Sequence, residues 1–206
     1  MKKKQARSDV DFFFDVPTTW PSRHPRNDGT ISLLYLLRRE AQETFFGHIR
    51  PESTLHQQTG RHRGFATLLV LMAGIDLMGK FASGQDDLRS ANSRFQQFAA
   101  CYMGMTANQA EALYKVRCCL MHSFGLYDPV KNDRIAIAVQ RRWREPGENP
   151  VEHDEPSGYW ILKIESTYQA FLDGVALYEA EVRSGRKAAH FAAIFPKYGW
   201  THYGPG

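Results

Sequence analysis

The spacing of apolar residues along the chain predicts a mostly helical protein. Leu33, Leu34, Leu37 and Ala41 recur at intervals of three and four residues, which places them on one face of a helix. These residues belong to a helix expected at 30–48. Patterns of the same kind predict helices at 61–82, 88–102, 167–183 and, as a short helix, 188–195. The helix at 61–82 carries apolar residues on nearly all of its faces, so we expect it to lie at the centre of the fold.

Polar and glycine residues mark the limits of one more helix. Thr106 and Gln109 have the spacing of a capping box, in which the hydroxyl and the amide each satisfy a free backbone N–H group. The helix that follows is expected to end near Ser123, with Gly125 as its left-handed stop.

Two segments alternate between larger and smaller or more polar residues, which is typical of strands. They cover residues 134–139 and 159–164 and are separated by a polar segment that is rich in proline and glycine. We therefore predict a β-hairpin inserted at 134–164, with a long loop. Trp160, Leu162 and Ile164 are expected to face the helices, with Tyr159 and Lys163 facing outward.

Residues 1–29 are predicted to form an irregular leader, because they contain three prolines and end in Asp28-Gly29. Its aromatic residues, Phe12, Phe13, Phe14 and Trp20, suggest that the leader packs onto the rest of the protein. The fold class that follows is mainly α: a single domain over 1–206, built as a bundle of four to five helices with the inserted hairpin.

Composition excludes several classes of protein. The chain has 206 residues, of which 43% are hydrophobic and 23% are charged, close to the globular average and unlike a disordered chain. Three cysteines, two of them adjacent, favour a reducing and hence cytoplasmic setting over a disulfide scaffold. The net charge of +4 includes a basic N-terminal tail, for which a solvated terminus is the simplest interpretation.

The most apolar stretch, residues 64–79, contains Asp76 as its only charged residue. A transmembrane helix needs roughly 20 mostly apolar residues and avoids a central carboxylate. We therefore expect a buried core helix and no membrane partner.

Familiar catalytic motifs are absent from the sequence. There is no glycine-rich phosphate loop, no Gly-x-Ser-x-Gly elbow and no pair of histidines at helical spacing with an intervening glutamate. His153, Asp154 and Glu155 lie together, but a solvated loop is the simpler interpretation. We therefore expect no cofactor and no metal.

The segment 113–124 carries a charged residue on the apolar face of its predicted helix. Arg117 falls within an apolar stripe formed by Leu113, Val116 and Leu120, and a cation that faces a core needs a partner. Asp76 is the expected partner, because it is a lone carboxylate on another apolar helix; Lys80, four residues after Asp76, is its local rival. A structural ion pair is the simpler interpretation, and a polar site within the bundle is the alternative.

Arg117 and His122, near the end of a bundle helix, resemble the Arg-x4–6-His motif of the HEPN superfamily (higher eukaryotes and prokaryotes nucleotide-binding). The resemblance covers residues 30–127 and the helix at 167–183. It implies a homodimer in which two motifs line one cleft and RNA is cut without metal by attack of the 2′-hydroxyl. His122 would then transfer protons and Arg117 would stabilise the phosphorane, with Asp76 and Ser123 in support.

Two functions from different classes remain open at this point. The resemblance implies a protein acting on RNA, as a metal-independent endoribonuclease of a defence or toxin system, with an antitoxin as a further partner. The family's ribonucleases usually have a polar residue directly after the arginine, where this chain has Cys118. The alternative is a non-catalytic helical module that binds a partner protein or a nucleotide, with Arg117 and Asp76 purely structural.

Overall fold

The computed structural model describes residues 8–15, 29–46, 56–123, 127–128, 133–138 and 149–202. For residues 42–46, 56–65, 121–123, 127–128 and 133–138, it describes the backbone alone. The basic tail, Trp20, the three leader prolines and Gly125 lie outside the described residues.

The described residues form seven helices and six strands. In chain order these are α1 (Asp9–Phe14), β1 (Thr30–Ser32), α2 (Leu33–Phe46), α3 (His56–Ser83), α4 (Ala91–Tyr102), α5 (Ala107–Ser123), β2 (Tyr127–Asp128), β3 (Asp133–Ala138), β4 (Val151–Asp154), β5 (Tyr159–Lys163), α6 (Ile164–Arg183), α7 (Ala188–Tyr198) and β6 (Trp200–His202). The mainly helical fold class is confirmed, but the number of helices exceeds the four to five expected.

The leader contains one of the additional helices. Ser8 caps α1 by accepting a hydrogen bond from the backbone N–H of Asp11 at 3.1 Å. Phe12, Phe13 and Phe14 are all buried, as their aromatic character suggested. The prediction of an irregular leader is therefore wrong for residues 9–14, where one capped helical turn allows three adjacent phenylalanines to reach the core.

Residues 30–32 form a strand and not the first turn of a helix. β1 pairs antiparallel with β6, so that Ile31 lies opposite Thr201. The hydroxyl of Ser32 donates to the carbonyl of Phe13 at 2.9 Å and accepts the N–H of Tyr35 at 3.2 Å. The strand partner lies at the other end of the chain, so local periodicity gives no sign of it.

The predicted β-hairpin is wrong in its pairing. The two predicted strands, β3 and β5, are present, but they run parallel, with Ile135 opposite Trp160. The antiparallel partner of β5 is β4, which occupies part of the expected loop. The sheet order is β2-β3-β5-β4. A parallel pair needs a crossover of a dozen or more residues, and the long segment between β3 and β5 supplies it.

The face of β5 that was expected to pack against the helices is largely confirmed. Leu162 and Ile164 are fully buried, and Trp160 packs partly against the core. Lys163 does not extend freely into solvent, because its ammonium group lies 2.8 Å from Glu152 on β4. Ile164 begins α6 and does not end the strand.

Helix α3 lies at the centre of the described fold and contacts α2, α4, α5, α6 and α7. Gly74 makes one of these contacts possible, because a Cβ atom there would lie 2.9 Å from the ring of Phe171 on α6. In the described residues, the segment 66–83 is the one stretch long and apolar enough to cross a membrane by length and composition. More than half of it, 56%, is buried inside the protein, as in the core helix of a soluble protein.

Candidate functional site

Helix α5 carries the sequence motif, and a capping box fixes where the helix begins. The N–H of Thr106 donates to Oε1 of Gln109 at 2.8 Å, and the N–H of Gln109 donates to the hydroxyl of Thr106 at 3.3 Å. Both bonds of the predicted box are therefore present. Nε2 of Gln109 also donates to the carbonyl of Val151 at 2.8 Å, which attaches the start of α5 to β4.

Arg117 on α5 and Asp76 on α3 form the predicted ion pair. Nε and Nη2 of Arg117 donate to the same carboxylate oxygen, Oδ2, at 2.9 and 2.8 Å. Lys80, the expected local rival, lies instead over the ring of Tyr198, with Nζ 3.9 Å from its centroid. Asp76 is thus paired with a residue of α5 and not with one on its own helix.

The ion pair is neither sealed in the core nor fully exposed. The side chains of Arg117 and Asp76 are 21% and 26% exposed. Burial acts to lower the pKa of Arg117, but the hydrogen bonds to Asp76 and its charge outweigh burial and hold that pKa above its usual value. Arg117 therefore stays positively charged, with part of its surface open to a ligand.

Two further α5 residues, Tyr114 and Cys118, lie close to Arg117. Tyr114 lies one turn earlier, with its ring centroid 5.8 Å from Cζ of Arg117 and edge-on to the ring of Phe95. Burial raises the pKa of the Tyr114 hydroxyl, and a hydrogen bond with Cys118 raises that pKa further. Sequence reasoning did not assign Tyr114 a place here, although its three-residue spacing from Arg117 was the available signal.

The guanidinium group of Arg117 has a second edge for hydrogen bonding. Asp76 occupies the edge formed by Nε and Nη2, and no hydrogen bond joins Nη1 to any described residue. The edge formed by Nη1 and Nη2 keeps N–H donors in the fork geometry that matches a phosphate or a carboxylate. This arrangement is suited to binding an oxyanion.

His122 and Ser123 are the other two predicted site residues. Both belong to the last turn of α5, but their side chains lie outside the described part of the structure. Successive helical residues turn by about 100°, so position 122 lies about 140° around the helix from position 117. The structure brings Arg117 and Asp76 together; helix geometry places positions 117 and 122 on different faces of α5.

No group of three or more histidine, cysteine, aspartate or glutamate side chains is arranged to hold a metal ion, as far as the described residues extend. None of the three cysteines, all of which lie within the described residues, forms a disulfide. Comparison of the chain with protein-family models, with curated proteins and with solved structures finds no match in any of the three.

Proposed function

We propose that this protein acts on RNA and that Arg117 binds a phosphate group of the strand. The observation that carries the proposal is the geometry of Arg117: Asp76 fixes the guanidinium from one edge, while the other edge has no partner among the described residues. A guanidinium held in this way loses little rotamer freedom when it binds, and its charge is permanent.

Cleavage without a metal is the activity that we propose for the site. The 2′-oxygen of a ribose would attack the adjacent phosphorus as His122 removes the 2′ proton. The bond from phosphorus to the 5′-oxygen would then break, and that oxygen would take up a proton, leaving a cyclic phosphate. An imidazole suits the proton transfer because its pKa lies near neutrality. Arg117 would stabilise the charge on the phosphorane.

A homodimer in the cytoplasm is part of the proposal. Positions 117 and 122 lie about 140° apart on a regular helix, so one α5 does not present both to the same phosphate. Two copies of α5 facing each other would allow Arg117 of one protomer to meet the same RNA as position 122 of its partner. A protein of this type would serve a defence or toxin system, with an antitoxin as a further partner.

The test combines single-stranded RNA with purified wild-type protein, with and without a chelator. We expect cleavage that survives chelation, that spares DNA and that is lost in His122→Ala. The matched control is His153→Ala, because His153 is an exposed histidine on β4 that pairs with Glu155. Equal cleavage by wild-type protein and His122→Ala would indicate a contaminating nuclease and refute the catalytic proposal.

A specific observation also favours the second candidate, a non-catalytic module that binds a partner protein or a nucleotide. Both hydrogen bonds that Arg117 donates to described residues go to Asp76, as expected for a pair that joins α3 to α5. The double variant Asp76→Asn with Arg117→Gln separates the two candidate functions. It replaces both charged groups by neutral amides that can still form a hydrogen bond, and it thereby removes the cation. RNA affinity equal to that of the wild type would favour the structural interpretation.

A further inference from the structure

Tyr114 lies beside Arg117 on one face of α5. The two residues are three apart in the sequence, so their side chains are neighbours on the helix surface, and Cζ of Arg117 lies 5.8 Å from the centroid of the Tyr114 ring. The side chain of Arg117 is 21% exposed, and Tyr114 is likewise only partly buried. The aromatic ring and the guanidinium edge that has no described partner therefore belong to one patch of the surface.

The orientation of the Tyr114 ring is set by the core. Phe95 on α4, which is fully buried, contacts the ring edge-on, with the two centroids 5.4 Å apart and an angle of 63° between the ring planes. A tyrosine has few rotatable bonds, so a ring held in this way offers a large contact area and loses little conformational entropy when a ligand binds. Tyr114 is therefore a preformed apolar contact beside a cation that Asp76 holds in place.

A cation beside an aromatic ring matches the two chemical parts of a nucleotide. The guanidinium group of Arg117 suits the phosphate, and the ring of Tyr114 suits the base, because every base has a π face that stacks on aromatic side chains. The bases of a duplex are already stacked on both faces, whereas an unpaired base can leave its neighbours and stack on a protein ring. The two side chains together therefore favour an unpaired nucleotide over a bare oxyanion or a duplex.

We propose that Tyr114 stacks on an unpaired base of the RNA, at the nucleotide whose phosphate Arg117 binds, so that the substrate is single-stranded. The inference rests on the proposed function and names its substrate class. A duplex could place a phosphate against Arg117 but would offer no free base face to Tyr114. Stacking does not depend on the hydrogen-bonding groups of a base, so Tyr114 selects for unpaired strands and not for a sequence.

The first experiment compares two small ligands on the wild-type chain, so that it does not depend on the folding of a variant. Adenosine 5′-monophosphate and ribose 5-phosphate share the phosphate and the sugar, and only the first has a base. We expect the nucleotide to bind about 5- to 150-fold more tightly, which corresponds to about 1–3 kcal/mol for one stacked base. Tyr114→Leu should lose this advantage and Tyr114→Phe should keep it. Equal binding of the two ligands to the wild type, or no binding of the nucleotide, would overturn the stacking contact.

The second experiment measures the affinity for an RNA oligonucleotide as a single strand and as a duplex. Tyr114→Leu should weaken single-strand binding by about 5- to 150-fold and leave duplex binding unchanged. The control is Tyr102→Leu, which removes another partly buried tyrosine, on α4, that bonds to Glu181; it should leave both affinities unchanged.

The outcomes separate the stacking contact from the proposed function. Unchanged single-strand affinity in Tyr114→Leu, together with weaker binding by the double variant Asp76→Asn with Arg117→Gln, would overturn the stacking contact and leave the proposed function standing. No binding of any RNA by the wild type would refute both. Nucleotide binding that depends on Tyr114, without any RNA binding, would refute the proposed function and favour a module that binds a free nucleotide.

Discussion

Arg117 donates two hydrogen bonds to a single oxygen of Asp76, and both side chains remain about one fifth to one quarter exposed. The pair joins the central helix α3 to α5, the helix that carries the proposed motif. Its partial exposure matters for stability, because removing one partner of a fully buried pair costs about 3–5 kcal/mol, whereas an exposed pair contributes about 0–1 kcal/mol.

We predict that Asp76→Ala lowers the free energy of unfolding by about 1–3 kcal/mol, between these two limits. The physical reason is that Arg117 would keep its charge but lose both of its hydrogen bonds. Chemical denaturation of the two proteins measures the difference. The control is Asp86→Ala, which breaks the more exposed pair with Lys197 and should lower the free energy of unfolding by less than Asp76→Ala does. Equal losses of unfolding free energy in Asp76→Ala and Asp86→Ala would contradict the prediction that the less exposed ion pair contributes more.

Gln109→Glu is predicted to destabilise the start of α5, although it preserves the acceptor of the capping box. The amide of Gln109 also donates to the carbonyl of Val151, and a carboxylate in its place would face that carbonyl without a donor. We expect a loss of about 1–3 kcal/mol, measured by chemical denaturation. Thr106→Ala removes the hydroxyl cap alone and should cost about 0.5–2 kcal/mol. A neutral Gln109→Glu variant would show that the bond to β4 is unimportant.

The features that could be predicted from the sequence are set by local spacing or, for Arg117 and Asp76, by a lone charge on an apolar helical face. The period of apolar residues located the central helix, and the capping box of Thr106 and Gln109 located the start of α5. Asp76 and Arg117 were paired because each is a lone charge on an apolar helical face. That argument depends on the high cost of burying an unpaired charge and not on knowledge of the fold.

The features that could not be predicted depend on distant partners that, unlike Asp76 for Arg117, no lone charge marks in the sequence. The alternation in 134–139 and 159–164 indicates strands, but it is the same for parallel and antiparallel pairing. β4 has four residues, too few for its alternation to stand out from a polar loop. The close crossing of α3 and α4 at Gly79, where a Cβ atom would lie 3.0 Å from the carbonyl oxygen of Arg94, could not be predicted, because it depends on how the two helices pack.

Tyr178→Phe is predicted to destabilise the end of α3. The fully buried hydroxyl of Tyr178 on α6 donates to the carbonyl of Phe81 at 2.8 Å. Phe81 lies in the last turn of α3, where carbonyl groups have no partner within the helix. Leaving this carbonyl unsatisfied should cost about 1–3 kcal/mol, measured by chemical denaturation. The control is Tyr198→Phe, whose hydroxyl is 3.4 Å from Asp86, and which should cost less.

Stability is predicted to fall at alkaline pH because two tyrosines resist ionisation in the folded protein. Burial raises the pKa of Tyr102 above its usual 10.0, and a hydrogen bond to Glu181 raises that pKa further. Burial also raises the pKa of Tyr178 above the same value. A group whose folded pKa is raised contributes stability that is complete below its unfolded pKa. That contribution declines as the pH rises from about 10 toward the folded pKa, since the unfolded chain then loses the proton first.

The measurement for this prediction is the free energy of unfolding at several pH values above 10, in the wild type and in Tyr102→Phe. Each retained proton contributes a slope of at most about 1.4 kcal/mol per pH unit, so Tyr102→Phe should have a shallower decline by up to that amount. Below pH 10 the two curves should run parallel, offset by the lost hydrogen bond to Glu181, which is 2.6 Å long. Equal slopes above pH 10 would show that Tyr102 ionises in the folded protein as readily as in the unfolded chain.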